Sequence, residues 1–176
     1  MRTIVSTVSC LALSLCCLAA SAQKEHAAKG APMTDQKFVD MAAQTDMLEA
    51  HLGQMAADHA DSQDVKDYAN MLVSDHTADY QQLTALAAKD GFTVPTAIDA
   101  THNKMIAPFE NLKGAAFDSR YIHDMIAGHT EAIGVYTKES TGAQNPDVKQ
   151  YASATLPTLQ KHLDHAKDLA KKPSKK

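Results

Sequence analysis

The chain has 176 residues, 44% of them hydrophobic, and a formal charge of −4 at neutral pH. That mild acidity argues against nucleic acid as a partner, and an aromatic content of 5% with no tryptophan leaves no platform for stacking bases or sugars. The length suits one domain that can bury its own apolar core.

The N-terminus reads as a secretory signal. Arg2 supplies a basic start, Ile4 to Ala19 is almost wholly apolar, and Ala20-Ser21-Ala22 offers small residues for cleavage after Ala22. A retained membrane anchor needs a longer apolar run. Lipidation is disfavoured because Cys16 follows Leu15 and Cys17 follows Cys16, where a small residue is wanted. An outer-membrane lipoprotein is therefore the weaker alternative to a free periplasmic protein. Cys10, Cys16 and Cys17 all fall inside this segment. The processed chain then has no disulfide, thiolate site or cysteine nucleophile, and an ordinary apolar core must hold it together.

Residues 23–33 are small, polar and charged, and read as a disordered spacer. The domain itself is expected over residues 34–171. Thr34 or Asp35 can cap a first helix, whose apolar positions Phe38, Met41, Thr45, Leu48, Leu52, Met55 and Ala56 recur at helical spacing. After Asp61, Ser62 caps a second helix, with Val65, Tyr68, Ala69, Leu72, Leu83 and Leu86 on one face and Gly91 at its end. So short a turn forces the two helices to pack antiparallel.

Residues 92–114 form a connection with a short helix between Pro95 and Pro108. A third helix follows from about Ala115 to Thr141, carrying Phe117, Tyr121, Met125, Ala132 and Tyr136, with Gly142 as its stop. Asn145 caps a fourth helix with Pro146 at its first position, running through Val148, Ala152, Leu156, Leu159, Leu163 and Ala166. Pro157 inside it should introduce a kink. The tail, residues 172–176, is basic. It is expected to stay solvated, with weak contact to an anionic envelope surface as the alternative.

Asp-Val-Lys-x-Tyr-Ala occurs twice, at Asp64–Ala69 and Asp147–Ala152, 83 positions apart. The offset maps the second helix onto the fourth and the first onto the third. The fold class expected is all-α: a ferritin-like four-helix bundle built from two duplicated helix pairs, its connection long enough to cross the bundle.

Polar residues interrupt the apolar stripes. Glu49, His76, Asp79, Asp118 and His129 lie within roughly 50° of the stripe centres, with His162 at the flank of its own and His165 further out. Glu49, His76, His129 and His162 also fall near mid-helix, so in a bundle they share one layer. One carboxylate and three imidazoles suit a single divalent ion such as Zn, Fe, Mn or Cu. Asp79, one turn from His76, is a candidate for a further ligand or for orienting an imidazole, and Asp118 for orienting one. The competing reading is structural, because Glu–His and Asp–His pairs satisfy themselves without metal and could simply fix helix register. If the histidines are buried, neutral and unliganded, acid should unfold the domain near about pH 5 to 6. His26, His51, His59, His102 and His123 read as surface or helix-end residues, and the methionines as core filler rather than a copper-carrying tract.

No catalytic residue or organic cofactor is indicated: there is no Gly-x-Ser-x-Gly turn, phosphate-binding glycine loop or His-Glu-x-x-His. A non-catalytic domain is favoured over a metal-dependent redox or metal-handling enzyme, and over an envelope stress or interaction module without core chemistry.

A set of motifs supports a family resemblance. They are Phe38, Ala42-Ala43 and Glu49-Ala50-x-Leu52-Gly53-x-Met55-Ala56, then Val65-Lys66-x-Tyr68-Ala69-x-Met71-Leu72-Val73-x-Asp75-His76. Leu112-x-Gly114-x-x-Phe117-Asp118-x-x-Tyr121, His129, Leu156-Pro157 and His162-Leu163 follow. Over residues 34–170 the chain resembles the exported bacterial proteins grouped as domain of unknown function 4142, which are similar in fold to ferritins. The resemblance implies an envelope location and no established activity. It carries over Glu49, Asp75, His76, Asp118, His129 and His162. It also implies a second Asp-His pair on the third helix, where this chain has Gly128 before His129. The two Glu-x-x-His pairs of ferritin-like di-iron proteins are missing; only His76-x-x-Asp79 and His162-x-x-His165 stand in comparable places.

Overall fold

The computed structural model describes residues 33–172. The signal segment, nearly all of the spacer and the end of the basic tail lie outside the described residues. Five helices are present: α1 (Asp35–His59), α2 (Gln63–Asp90), α3 (Ala100–Ile106), α4 (Gly114–Gly142) and α5 (Pro146–Ala170). A 3-10 turn, Ala107–Phe109, extends α3. The expected four long helices and short connecting helix are thus observed.

Local chemistry sets the boundaries. The Thr34 side chain accepts from Lys37 N, and Asn145 accepts from Asp147 N and Val148 N ahead of Pro146. Gly91 closes α2 at φ 78°, a left-handed conformation that glycine adopts without strain. Ser62 occupies the N-cap of α2 but makes no side-chain cap bond. Its turn is held from outside: Asp118 accepts from Asp61 N at 3.1 Å and Ser62 N at 2.8 Å. Asp35 does the same for the α4–α5 turn, accepting from Gln144 N at 2.9 Å and Asn145 N at 2.7 Å. Each of these six positions maps onto its counterpart at the 83-residue offset of the sequence repeat. Each helix pair therefore caps the turn of the other, and the duplication is preserved as a reciprocal contact.

Two apolar clusters fix the helix directions. One joins Leu52 and Ala56 of α1 with Val65 and Tyr68 of α2, Phe117 and Tyr121 of α4, and Ala166 of α5. The other joins Phe38 and Val39 with Leu83 and Ala87, Tyr136, and Val148 and Tyr151. Hence α1 runs antiparallel to α2, and α4 to α5, while α2 and α4 run parallel. That is the crossover arrangement of ferritin-like bundles. α5 continues through Pro157 without interruption.

The connection returns along α1 and is strapped to it by two glutamines. Gln36 exchanges hydrogen bonds with the backbone of Thr93, and Gln44 bonds Ala97 O and Asp99 N. This strap explains a departure from the expected α1 stripe. Val39, Ala42, Ala43 and Gln44 are buried as well, whereas Met41 and Thr45 are only half-buried, because α1 is covered on more than one side.

The α1–α2 contact depends on Gly53. A Cβ at this position would stand 2.7 Å from Val73 Cγ2 and 2.9 Å from Ala69 O. The carbonyl belongs to a helix backbone and cannot rotate away. Gly53→Ala is therefore expected to destabilise the domain by about 1–3 kcal/mol through overpacking, despite alanine's better helix propensity. A denaturant midpoint equal to that of the parent would show that α1 and α2 separate freely.

Candidate metal centre

Between the two apolar clusters lies a polar layer. On α1 it falls between Ala43 and Leu52, on α2 between Leu72 and Leu83, on α4 between Met125 and Ala132, and on α5 between Leu159 and Ala166. Asp46, Glu49, His76, His129 and His162 occupy it, each no more than 4% exposed. Mid-helix placement brings these side chains to one level, as the 1.5 Å rise per residue requires for helices of similar length.

Glu49, His76, His129 and His162 converge. Glu49 Oε2 lies 2.9 Å from His76 Nε2 and 3.4 Å from His129 Nε2, and His129 Nε2 lies 3.2 Å from His162 Nδ1. One ring nitrogen from each histidine falls within 4.8 Å of the other two.

The second nitrogen of every ring is tied to an oxygen. His76 Nδ1 meets Asp46 Oδ1 at 2.8 Å, His129 Nδ1 meets Met125 O at 2.9 Å, and His162 Nε2 meets Asp75 Oδ2 at 2.9 Å. A carbonyl only accepts, so His129 carries a proton on Nδ1 and, as a neutral ring, turns a lone pair inward from Nε2. With Asp75 Oδ2 as the acceptor, the same reasoning gives His162 a proton on Nε2 and a lone pair on Nδ1. Two neutral imidazoles would then face each other lone pair to lone pair across 3.2 Å, which needs a shared cation, proton or metal, between them. His76 Nε2 and Glu49 Oε2, although 2.9 Å apart, are not aligned as a hydrogen bond. Neither atom has a hydrogen-bond partner among the described residues. Outward nitrogens anchored by oxygens, an inward His76 nitrogen without a partner and inward His129 and His162 nitrogens facing each other fit the pattern of metal-binding histidines.

The electrostatics follow from burial and these contacts. Burial by itself would raise the Glu49 carboxyl, but the facing His129 and His76 reverse this and hold it down to about 2. Burial likewise opposes charge on His76, yet Glu49 and Asp46 outweigh it and keep the ring protonated well above the usual histidine range. Burial pushes Asp46 up to about 7 in spite of its bond to His76. His162 is depressed to about 4, by burial first and then by its histidine neighbours, with Asp75 compensating only in part.

Two residues expected to orient the rings do not touch them. Asp118 is at the end of the bundle, spent on the α1–α2 turn. Asp79 accepts from Tyr151 OH at 2.7 Å and faces Thr155 Oγ1 at 3.4 Å. The orienting carboxylates are Asp46 and Asp75. Asp46 carries a sequence signal that spacing could have found: it lies three residues before Glu49, on the same helix face. Asp75 had been singled out only by the family resemblance. His51, His123 and His165 are exposed, and His59 caps the strap by bonding Leu112 O. His26 lies outside the described residues.

The fold and the layer define an all-helical bundle with a buried histidine–carboxylate cluster able to hold a metal ion. The chain belongs to the family described as "Domain of unknown function (DUF4142)", which matches residues 20–169. No protein with a curated description matches it. Among solved structures it is similar to a DUF305 fragment from Deinococcus radiodurans, at 15% identity and a TM-score of 0.67, covering 77% of this chain and 94% of that one. It is also similar to CopM in its Cu(II)-bound form, at 17% identity and a TM-score of 0.67, covering 80% of this chain and 97% of that one. At such identities the likeness is one of fold. No helix among the described residues is long and apolar enough to cross a membrane.

Proposed function

We propose that this is an exported metal-holding domain, in which Glu49, His76, His129 and His162 bind a single divalent transition-metal ion. The observation that carries this reading is the polarity of the three rings: each is anchored on its outer nitrogen, one nitrogen of each lies within 4.8 Å of the other two, and His76 and His129 also face Glu49. Metal–nitrogen bonds of about 2.0–2.1 Å place tetrahedral ligand atoms roughly 3.3 Å apart. Three of the six spacings among these ligand atoms, 2.9, 3.2 and 3.4 Å, are close to that value, and the histidine nitrogens all lie within 4.8 Å of one another. Three imidazoles and one carboxylate suit Zn(II) or Cu(II) best, and Cu(II) binds such donors most tightly along the first-row series. The Cu(II)-bound form of CopM, a bundle of the same shape, makes copper the first ion to test. Ferritin-type iron oxidation has no support, because both Glu-x-x-His pairs are missing.

Export rests on the N-terminal segment, with cleavage after Ala22 and residues 23–33 as a spacer before the bundle. The periplasm is the compartment proposed.

The test is metal analysis of the exported, processed protein recovered from the envelope of its own host. About one ion per chain is expected, lost in His129→Ala and reduced at least tenfold in affinity in Asp46→Asn, which weakens the anchor of His76. Metal-free native protein that also takes up no Cu(II), Zn(II) or Co(II) in solution would leave the layer a structural ion-pair network.

A further inference from the structure

A groove of 350 Å³ lies between α2 and α5, lined by Asp75, His76, Asp79, Thr158 and His162 among others. It reaches only two of the four proposed ligands; Glu49 and His129 do not line it. The three ring anchors also differ in accessibility. Asp46 is buried and Met125 O sits inside α4, whereas the Asp75 side chain is 36% exposed and stands on the groove wall. The His162 ring is thus held in place by the one anchor that solvent can reach.

We infer that this groove is the path by which the ion enters and leaves the core, and that the Asp75–His162 pair is its gate. The inference rests on the metal-holding reading of the layer. α2 and α5 belong to different halves of the duplication and pack less closely than either hairpin, and the groove lies along this seam. Small side chains keep it open: Ala78 on α2, and Ala154, Thr155 and Thr158 on α5. Asp79 and Asp75 place two carboxylates along the wall, suited to pass a hydrated divalent cation inward by ligand exchange. Lys161 on the rim is exposed, where its charge is screened by solvent. Releasing the Asp75–His162 bond frees one ligand while His76, His129 and Glu49 still hold the ion. Exchange can therefore proceed ligand by ligand without unfolding.

The experiment measures equilibrium and rate separately, with Co(II) as the probe. Metal-free protein is mixed with CoCl₂ and uptake is followed by visible absorption, then release to a chelator is timed. Thr158→Trp fills the groove without replacing a proposed ligand, and Glu131→Trp, exposed on α4 outside the groove, controls for the added bulk. Thr158→Trp is expected to slow both uptake and release about tenfold, at unchanged final stoichiometry. Asp75→Ala should speed release about tenfold, because His162 loses its anchor. If the parent binds Co(II) but Thr158→Trp exchanges at the parental rate, the path is wrong and the site stands. If the parent binds no Co(II), Zn(II) or Cu(II), the site and the path are both overturned.

Discussion

Replacing His76 with leucine is expected to destabilise the metal-free domain by about 3–5 kcal/mol, even though it places an apolar side chain in a helical core. His76 contacts both Asp46 and Glu49. Those carboxylates are 2% and 4% exposed, so without the imidazolium Asp46 stays buried with no histidine against it and Glu49 loses the nearer of its two histidine contacts. They must then either remain ionised at a large desolvation cost or take up protons, and both routes weaken the fold. Adding Asp46→Asn and Glu49→Gln to the leucine variant should recover most of the loss, since neutral amides tolerate burial better. Urea unfolding of the parent, the single variant and the triple variant measures this directly. A single-variant loss below about 1 kcal/mol would mean that His76 does not hold the two acids.

Acid should affect the metal-free protein little between pH 7 and about 5, then sharply below about 4.5. The histidine-only expectation of unfolding near pH 5 to 6 treats every ring as neutral, and the structure separates the rings. His162 is the neutral case. Its folded pKa, about 4, lies below its ordinary 6.5, so the unfolded chain takes up the proton first as pH falls. Stability is then lost between those values, by up to roughly 3 kcal/mol at 1.36 kcal/mol per unit. Asp46 works in the opposite sense: raised from 3.8 to about 7, it takes up a proton in the folded state first and adds stability over the same interval. His76, raised well above 6.5, keeps its contribution throughout acid and loses it only as pH rises through its folded value. Glu49 supplies the acid limit. Lowered from 4.5 to about 2, it contributes fully above 4.5 and loses that contribution as pH falls toward 2. Asp46→Asn should remove the compensation and expose a decline already between pH 6.5 and 4. Denaturant midpoints for parent and variant across pH 3–8 test this, and superimposable profiles would contradict it.

Helical periodicity locates a residue by its angle about its own helix and its level along it, and that is how Glu49, His76, His129 and His162 were found. All four have the angle, or nearly so, and all sit at mid-helix. Asp118 shows what angle without level is worth: it faces inward but stands in the second turn of α4, where its neighbours are the exposed N–H groups of a turn. Asp79 has both angle and level, yet it pairs with the Tyr151 hydroxyl instead of an imidazole. Its counterpart at the 83-residue offset is His162, whose backbone carbonyl accepts from Tyr68 OH, the counterpart of Tyr151. The repeated tyrosine thus bridges α2 and α5 in both halves, while the residues it meets have diverged into different chemistries.

The amino-acid sequence by itself determined the four long helices, their caps and hairpin turns, the duplication and the level of the polar layer. These depend on local backbone satisfaction and on periodicity, which a linear pattern records. Only the tertiary structure decided that Asp46 and Asp75 anchor the rings, that Asp35 and Asp118 cap each other's turns, and that a groove reaches His162. These are choices of partner between helices. A buried polar group binds whichever complementary atom the packing brings within about 3 Å, and no spacing along one chain segment encodes which atom that is.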